Sequence, residues 1–85
     1  MSGDVWVVLL EDRHADVEAL PFSTKELAVG AALGLAGEFR ADPGDVKQDA
    51  ELTPSMRADG WVLYAPYGSE GDCVRVVKRV MDAGQ

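Results

Sequence analysis

Six apolar residues in a row, Val5-Trp6-Val7-Val8-Leu9-Leu10, stand near the start of the chain with no polar residue among them. A β-branched and aromatic run of this kind predicts a strand that is apolar on both faces and interior in its sheet. The polar stretch Glu11 to Asp16 follows as a turn, and Val17-Glu18-Ala19-Leu20-Pro21-Phe22 reads as a second, weaker strand. Pro21 has no N–H to give to a ladder, which places that strand at the edge of a hairpin. Ser23-Thr24-Lys25-Glu26 predicts a capping box, in which Ser23 accepts from the Glu26 backbone N–H and the Glu26 carboxylate returns to Ser23, with Phe22 and Leu27 at the staple positions. A helix then runs to about Phe39 or Arg40 and is closed by Asp42-Pro43-Gly44.

On a helical wheel Ala28, Ala31, Ala32, Leu35 and Phe39 form one apolar arc, the face expected to meet the sheet. Val29 and Leu33 fall outside it, beside Gly30, Gly34 and Gly37. Glycine inside a helix costs roughly 1 kcal/mol relative to alanine. A second backbone close to Gly30 and Gly34 would make that cost tolerable, so Val29, Gly30, Leu33 and Gly34 are a candidate interface. Residues 41–60 turn to Asp, Glu, Pro and Gly, with Val46, Leu52 and Met56 as anchors, and read as a long connector holding at most a short helical turn. Trp61-Val62-Leu63-Tyr64-Ala65 is a third strand, in which strict alternation sets Trp61 and Leu63 against Val62 and Tyr64. Cys73 to Met81 fits either period, but its valines and the preceding glycine-bearing turn favour a fourth strand. The expectation is a single α+β domain over residues 1–85: two β-hairpins and one helix, ββαββ, with the helix on one face of a four-stranded antiparallel sheet.

Composition changes this picture in three ways. The apolar share of 47% and the charged share of 27% belong to a chain that folds. The net charge of −7 argues against a general affinity for nucleic-acid phosphate or an anionic membrane and leaves basic partners open. It is unevenly spread: residues 1–72 carry 14 acids against 5 bases, while the C-terminal stretch carries Arg75, Lys78 and Arg79 against Asp82. Cys73 is the sole cysteine, so no intramolecular disulfide and no paired-cysteine zinc site can form. With no apolar run long enough for a signal core or a membrane span, the expected location is the cytoplasm.

Two loops are the candidate chemistry. Glu11, Asp12, Arg13, His14 and Asp16 bring carboxylates, a guanidinium and the only histidine together, which could serve a ligand or a metal, although a solvated turn has the same composition. Tyr67 to Asp72, with Glu70, Asp72 and the nearby Tyr64, could hold a cation or a basic partner, or could be an ordinary glycine-shaped turn. Cys73 with His14 has the makings of a thiolate and its base, yet a free cysteine is more often a small buried hydrophobe. No phosphate-binding loop is present, because the glycines at 30, 34 and 37 lack its spacing and its preceding strand.

Three stretches, Val7 to Asp16, Phe22-Ser23-Thr24, and Gly60 to Ala65 with Glu70 to Val77, resemble a loose group of small conserved hypothetical proteins from high-GC bacteria and their phages. The resemblance covers about half of the chain and implies a shared fold. The group has no established activity, so it supplies no catalytic residue.

The functional expectation is a non-enzymatic interaction or regulatory module, a homodimer, without cofactor or metal. Both faces of the central strands are apolar and one helix can cover only one of them. The surplus face would be hidden by a second copy, by another protein with a basic or apolar surface, or by the connector. An acidic inhibitor that imitates nucleic acid toward a basic partner, and a small enzyme or ligand sensor using the 11–16 and 67–72 loops, are the alternatives.

Overall fold

The computed structural model describes residues 2–11, 18–68 and 71–82. The apolar run lies within β1 (Ser2–Glu11), which is followed by β2 (Glu18–Phe22) and the helix α1 (Lys25–Glu38). Next come a 3-10 turn at Pro43–Asp45, the short strand β3 (Lys47–Gln48), a second 3-10 turn at Asp49–Glu51 and the short helix α2 (Pro54–Ala58). β4 (Trp61–Tyr67) and β5 (Asp72–Asp82) complete one antiparallel sheet in the order β2-β1-β5-β4-β3.

The α+β class and the two hairpins agree with the sequence reading, but the sheet has five strands rather than four. Lys47 pairs with Tyr64 and Gln48 with Leu63, so the connector contributes an edge strand and the order is not a bare ββαββ. Two residues carry no readable period, which is why the pattern of the chain does not reveal β3. The ambiguous segment 73–81 is strand, held by β1 on one side and by β4 on the other. The edges are short: β2 carries Pro21 and β3 is two residues long, both of which discourage unwanted pairing with other chains.

The helix cap lies one residue later than the capping-box reading. Thr24 has extended backbone, and its hydroxyl oxygen accepts from the Leu27 backbone N–H at 3.2 Å. The third helical residue is therefore Leu27, which has no carboxylate to return to the cap, so the reciprocal box centred on Ser23 does not form. Thr24→Ala is expected to lower the unfolding free energy by about 1 kcal/mol, with Ser23→Ala nearly silent. Urea unfolding of the two variants checks this, and the opposite ranking would return the cap to Ser23. The far end closes on Arg40 at φ 60°, with Arg40 N–H donating to Gly37 O at 3.1 Å and Ala41 N–H to Ala36 O at 2.8 Å. That is the Schellman arrangement with arginine where glycine is usual.

α1 packs on one face of the sheet through Ala28, Ala32 and Ala36, all buried. Small helix residues let the backbone come close to the bulkier Val8, Leu63, Val74 and Val76 of the strands, which are fully buried. Ala31, Leu35 and Phe39 of the expected arc pack around this core, and so does Val29, which the wheel placed outside it. At the end of the helix the Phe39 ring stacks on Tyr67, with centroids 5.0 Å apart.

Candidate functional site

The sheet face opposite α1 is the most distinctive surface among the described residues. Cross-strand register assigns its side chains, because paired residues point the same way. One row crosses all five strands as Ala19, Leu9, Arg75, Tyr64 and Lys47. The next row is Pro21, Val7, Val77 and Trp61. Beyond the first row lie Glu11, Cys73 and Pro66, and beyond the second lie Val5 and Arg79.

Trp61 reaches this face through an irregularity. It pairs with Val77 while Leu63 pairs with Val76, so two steps along β4 oppose one step along β5. The bulge flips Trp61 away from Leu63 and sets it beside Tyr64, with ring centroids 5.6 Å apart. The strict alternation expected from sequence is thus broken at Val62, which packs against the helix-side core instead.

Arg75 occupies the middle of the face. Its guanidinium carbon stands 4.7 Å from the centre of the Trp61 ring, and it forms an ion pair with Glu11. Stacking on indole leaves the guanidinium edge free for a carboxylate, which a lysine ammonium could not match. Arg79 rests one guanidinium nitrogen on the carbonyl oxygens of Asp59 at 2.6 Å and Lys78 at 3.0 Å. Among the described residues neither Arg79 nor Lys47 is paired with a carboxylate. In a chain of net charge −7, the described charged residues of this face are Lys47, Arg75 and Arg79 against the single acid Glu11.

The connector packs alongside one strand of the sheet. Its two 3-10 turns, β3 and α2 all pack chiefly on β4. Leu52 is buried there, whereas Val46 joins the helix-side core. Val5, Val7 and Leu9 stay partly exposed along β1, and so do Trp61 and Tyr64 along β4.

The loop candidates are placed only in part. Asp12, Arg13, His14 and Asp16 lie outside the described residues, as does Glu70. Glu11 ends β1 on the outer face beside Cys73. Tyr64 is on that same face, but Tyr67 is buried against Phe39 on the helix side, so the two tyrosines do not converge on one pocket. Asp72 is buried and pairs across the hairpin with Tyr67. Among the described residues no group of three or more His, Cys, Asp and Glu side chains is gathered as a metal site requires, and no helix is long and apolar enough to cross a membrane.

No family model, curated protein or solved structure matches the chain. Every role assigned below rests on this chain's own residues.

Cys73 is buried, and burial first, then the Glu11 charge, pushes its thiol above the ordinary cysteine range. It is a packed hydrophobe rather than a poised nucleophile. Because the folded state raises this pKa, the thiol contributes stability below the ordinary cysteine value, and that contribution is lost as pH rises above it. Labelling of Cys73 by a thiol reagent at pH 8 should be slow in buffer and accelerate with urea in step with opening. Fast labelling of the native protein would contradict its burial.

Of the helix-side candidates, Leu33 is exposed and Gly30 and Gly34 have open space where a side chain would stand. Val29 instead points inward and, with Gly30, lines a shallow cleft against Gln48 and Asp49, where the Lys25 ammonium bridges to Asp49 at 2.8 Å.

Proposed function

We propose that this chain is a non-enzymatic interaction module that works as a homodimer, the outer sheet face of one copy docking on that of another. The observation that supports the reading is the lining of that face: Val5, Val7, Leu9, Trp61 and Tyr64 gather, partly exposed, on the side of the sheet away from α1, around a Val77 already buried in the single chain. An antiparallel sheet with a solvated face ordinarily alternates apolar inward and polar outward, and β1 does not. Each Å² of that apolar surface taken out of water is worth roughly 25 cal/mol. A twofold contact between identical faces is the commonest way for a soluble chain to hide such a surface. The exposed side of α1, with Leu33, Gly30 and Gly34, is the second surface available to a partner.

The experiment compares Val7→Asp with Leu27→Asp by size-exclusion chromatography and chemical cross-linking. Leu27 is exposed on the helix, far from the proposed contact, and serves as the control. Val7→Asp should run as a folded monomer by circular dichroism while Leu27→Asp stays dimeric. A dimer that survives Val7→Asp, or one that only Leu27→Asp dissolves, would remove the outer face from the interface.

A further inference from the structure

We infer that the two copies dock end for end, about a twofold axis that lies between the sheets and runs across the strands, so that Glu11 of one meets Arg79 of the other. This rests on the homodimer reading above and adds its geometry. The face has two unlike ends. Glu11 stands in the last row at one end and Arg79 toward the other, one row short of the Gly3–Met81 pair, with Val7, Leu9 and Val77 between them. Glu11 and Val5 are six residues apart along β1, roughly 20 Å at strand rise.

Two identical faces can meet about an axis along the strands or about one across them. The first lays each row on its own copy and brings Arg79 no carboxylate beyond what the single chain gives it. The second reverses the rows. Leu9 then lies over Val7 of the second copy, Tyr64 over Trp61 of the second copy, and the Glu11 row over the row that holds Arg79. Leu9 meets Val7, the aromatic pair of one β4 stacks on that of the other, Arg75 lies over Val77 of the second copy, and the end that carries Glu11 meets the part of the face that carries Arg79. Like charges placed against each other in an interface are strongly disfavoured, so the charge pattern selects the register as well as the partner. Glu11 keeps its contact with Arg75 and gains a second cation, while Arg79 gains the acid it lacks among the described residues. A separate acidic protein would satisfy Arg79 and Lys47 too, but would have no use for Glu11 at the opposite end.

The test is charge reversal followed by sedimentation equilibrium at low salt, on the full chain. Glu11→Arg and Arg79→Glu should each weaken the dimer by about 10-fold or more, and the double variant should recover to within about 3-fold of the parent. Glu11→Gln with Arg79→Gln forms a second cycle that adds no like charge beside Arg75, and non-additivity there carries the same meaning. A dimer in which the single effects simply add in both cycles overturns the end-for-end register and leaves the homodimer reading intact. A parent chain that stays monomeric at every concentration overturns both.

Discussion

Leu63→Ala lowers the unfolding free energy by roughly 3 kcal/mol, within the range for a large aliphatic residue removed from a closed core. Leu63 is completely inaccessible, paired with Val76 on one side and Gln48 on the other, beneath the alanine face of α1. The helix side of this core is built of Ala28, Ala32 and Ala36, which have no long side chains to swing into the space. The cavity therefore stays open, which puts the loss above the bare transfer cost of the removed carbons. Urea unfolding at one fixed protein concentration measures it, since a self-associating chain has a concentration-dependent stability. A loss below about 1 kcal/mol would mean that the α1–sheet contact is not where the stability lies.

Gly60→Ala should cost about 2–3 kcal/mol, for a different reason. Gly60 joins α2 to β4 with φ 86°, and a Cβ there would lie 2.6 Å from the Lys78 carbonyl oxygen. The glycine also accepts the Lys78 backbone N–H at 2.7 Å, so the close approach is part of how β5 is held next to the start of β4. Both the left-handed backbone and the contact with a neighbouring strand resist a side chain. Gly34→Ala is the counterpart: it sits inside α1 with nothing within 4 Å of an added Cβ. Removing a helix-interior glycine there should stabilise by roughly 0.5–1 kcal/mol. Thermal and urea unfolding of the pair check the contrast, and a harmless Gly60→Ala would contradict the packing of that corner.

The strands that matter most were legible because their apolar runs are long. Val5 to Leu10 announced an interior strand, and the valines of 73–81 outweighed a helical period that the same residues also fit. What escaped the pattern has local physical causes. The cap moved from Ser23 to Thr24 because both side chains can accept a backbone N–H, and only the backbone dihedrals decide which one does. β3 is too short to show a period, and its pairing depends on where the connector meets β4. The bulge at Val62 is invisible in sequence, yet it carries Trp61 to the face where Tyr64 and Arg75 lie, and so creates the aromatic and cationic half of the candidate site. Val29 packs against the helix-side core and faces Gln48 and Asp49 across the cleft, a tertiary arrangement that a helical wheel does not contain. The surplus apolar face itself was readable from β1 alone, whereas its cationic character needed the register that aligns Arg75, Arg79 and Lys47.

If the outer face joins two copies of the chain, sedimentation equilibrium across micromolar concentrations reads that association out of the mass. The expected result is a concentration-dependent species approaching twice the 9.1 kDa chain mass. A single species of 9.1 kDa at every concentration would contradict it.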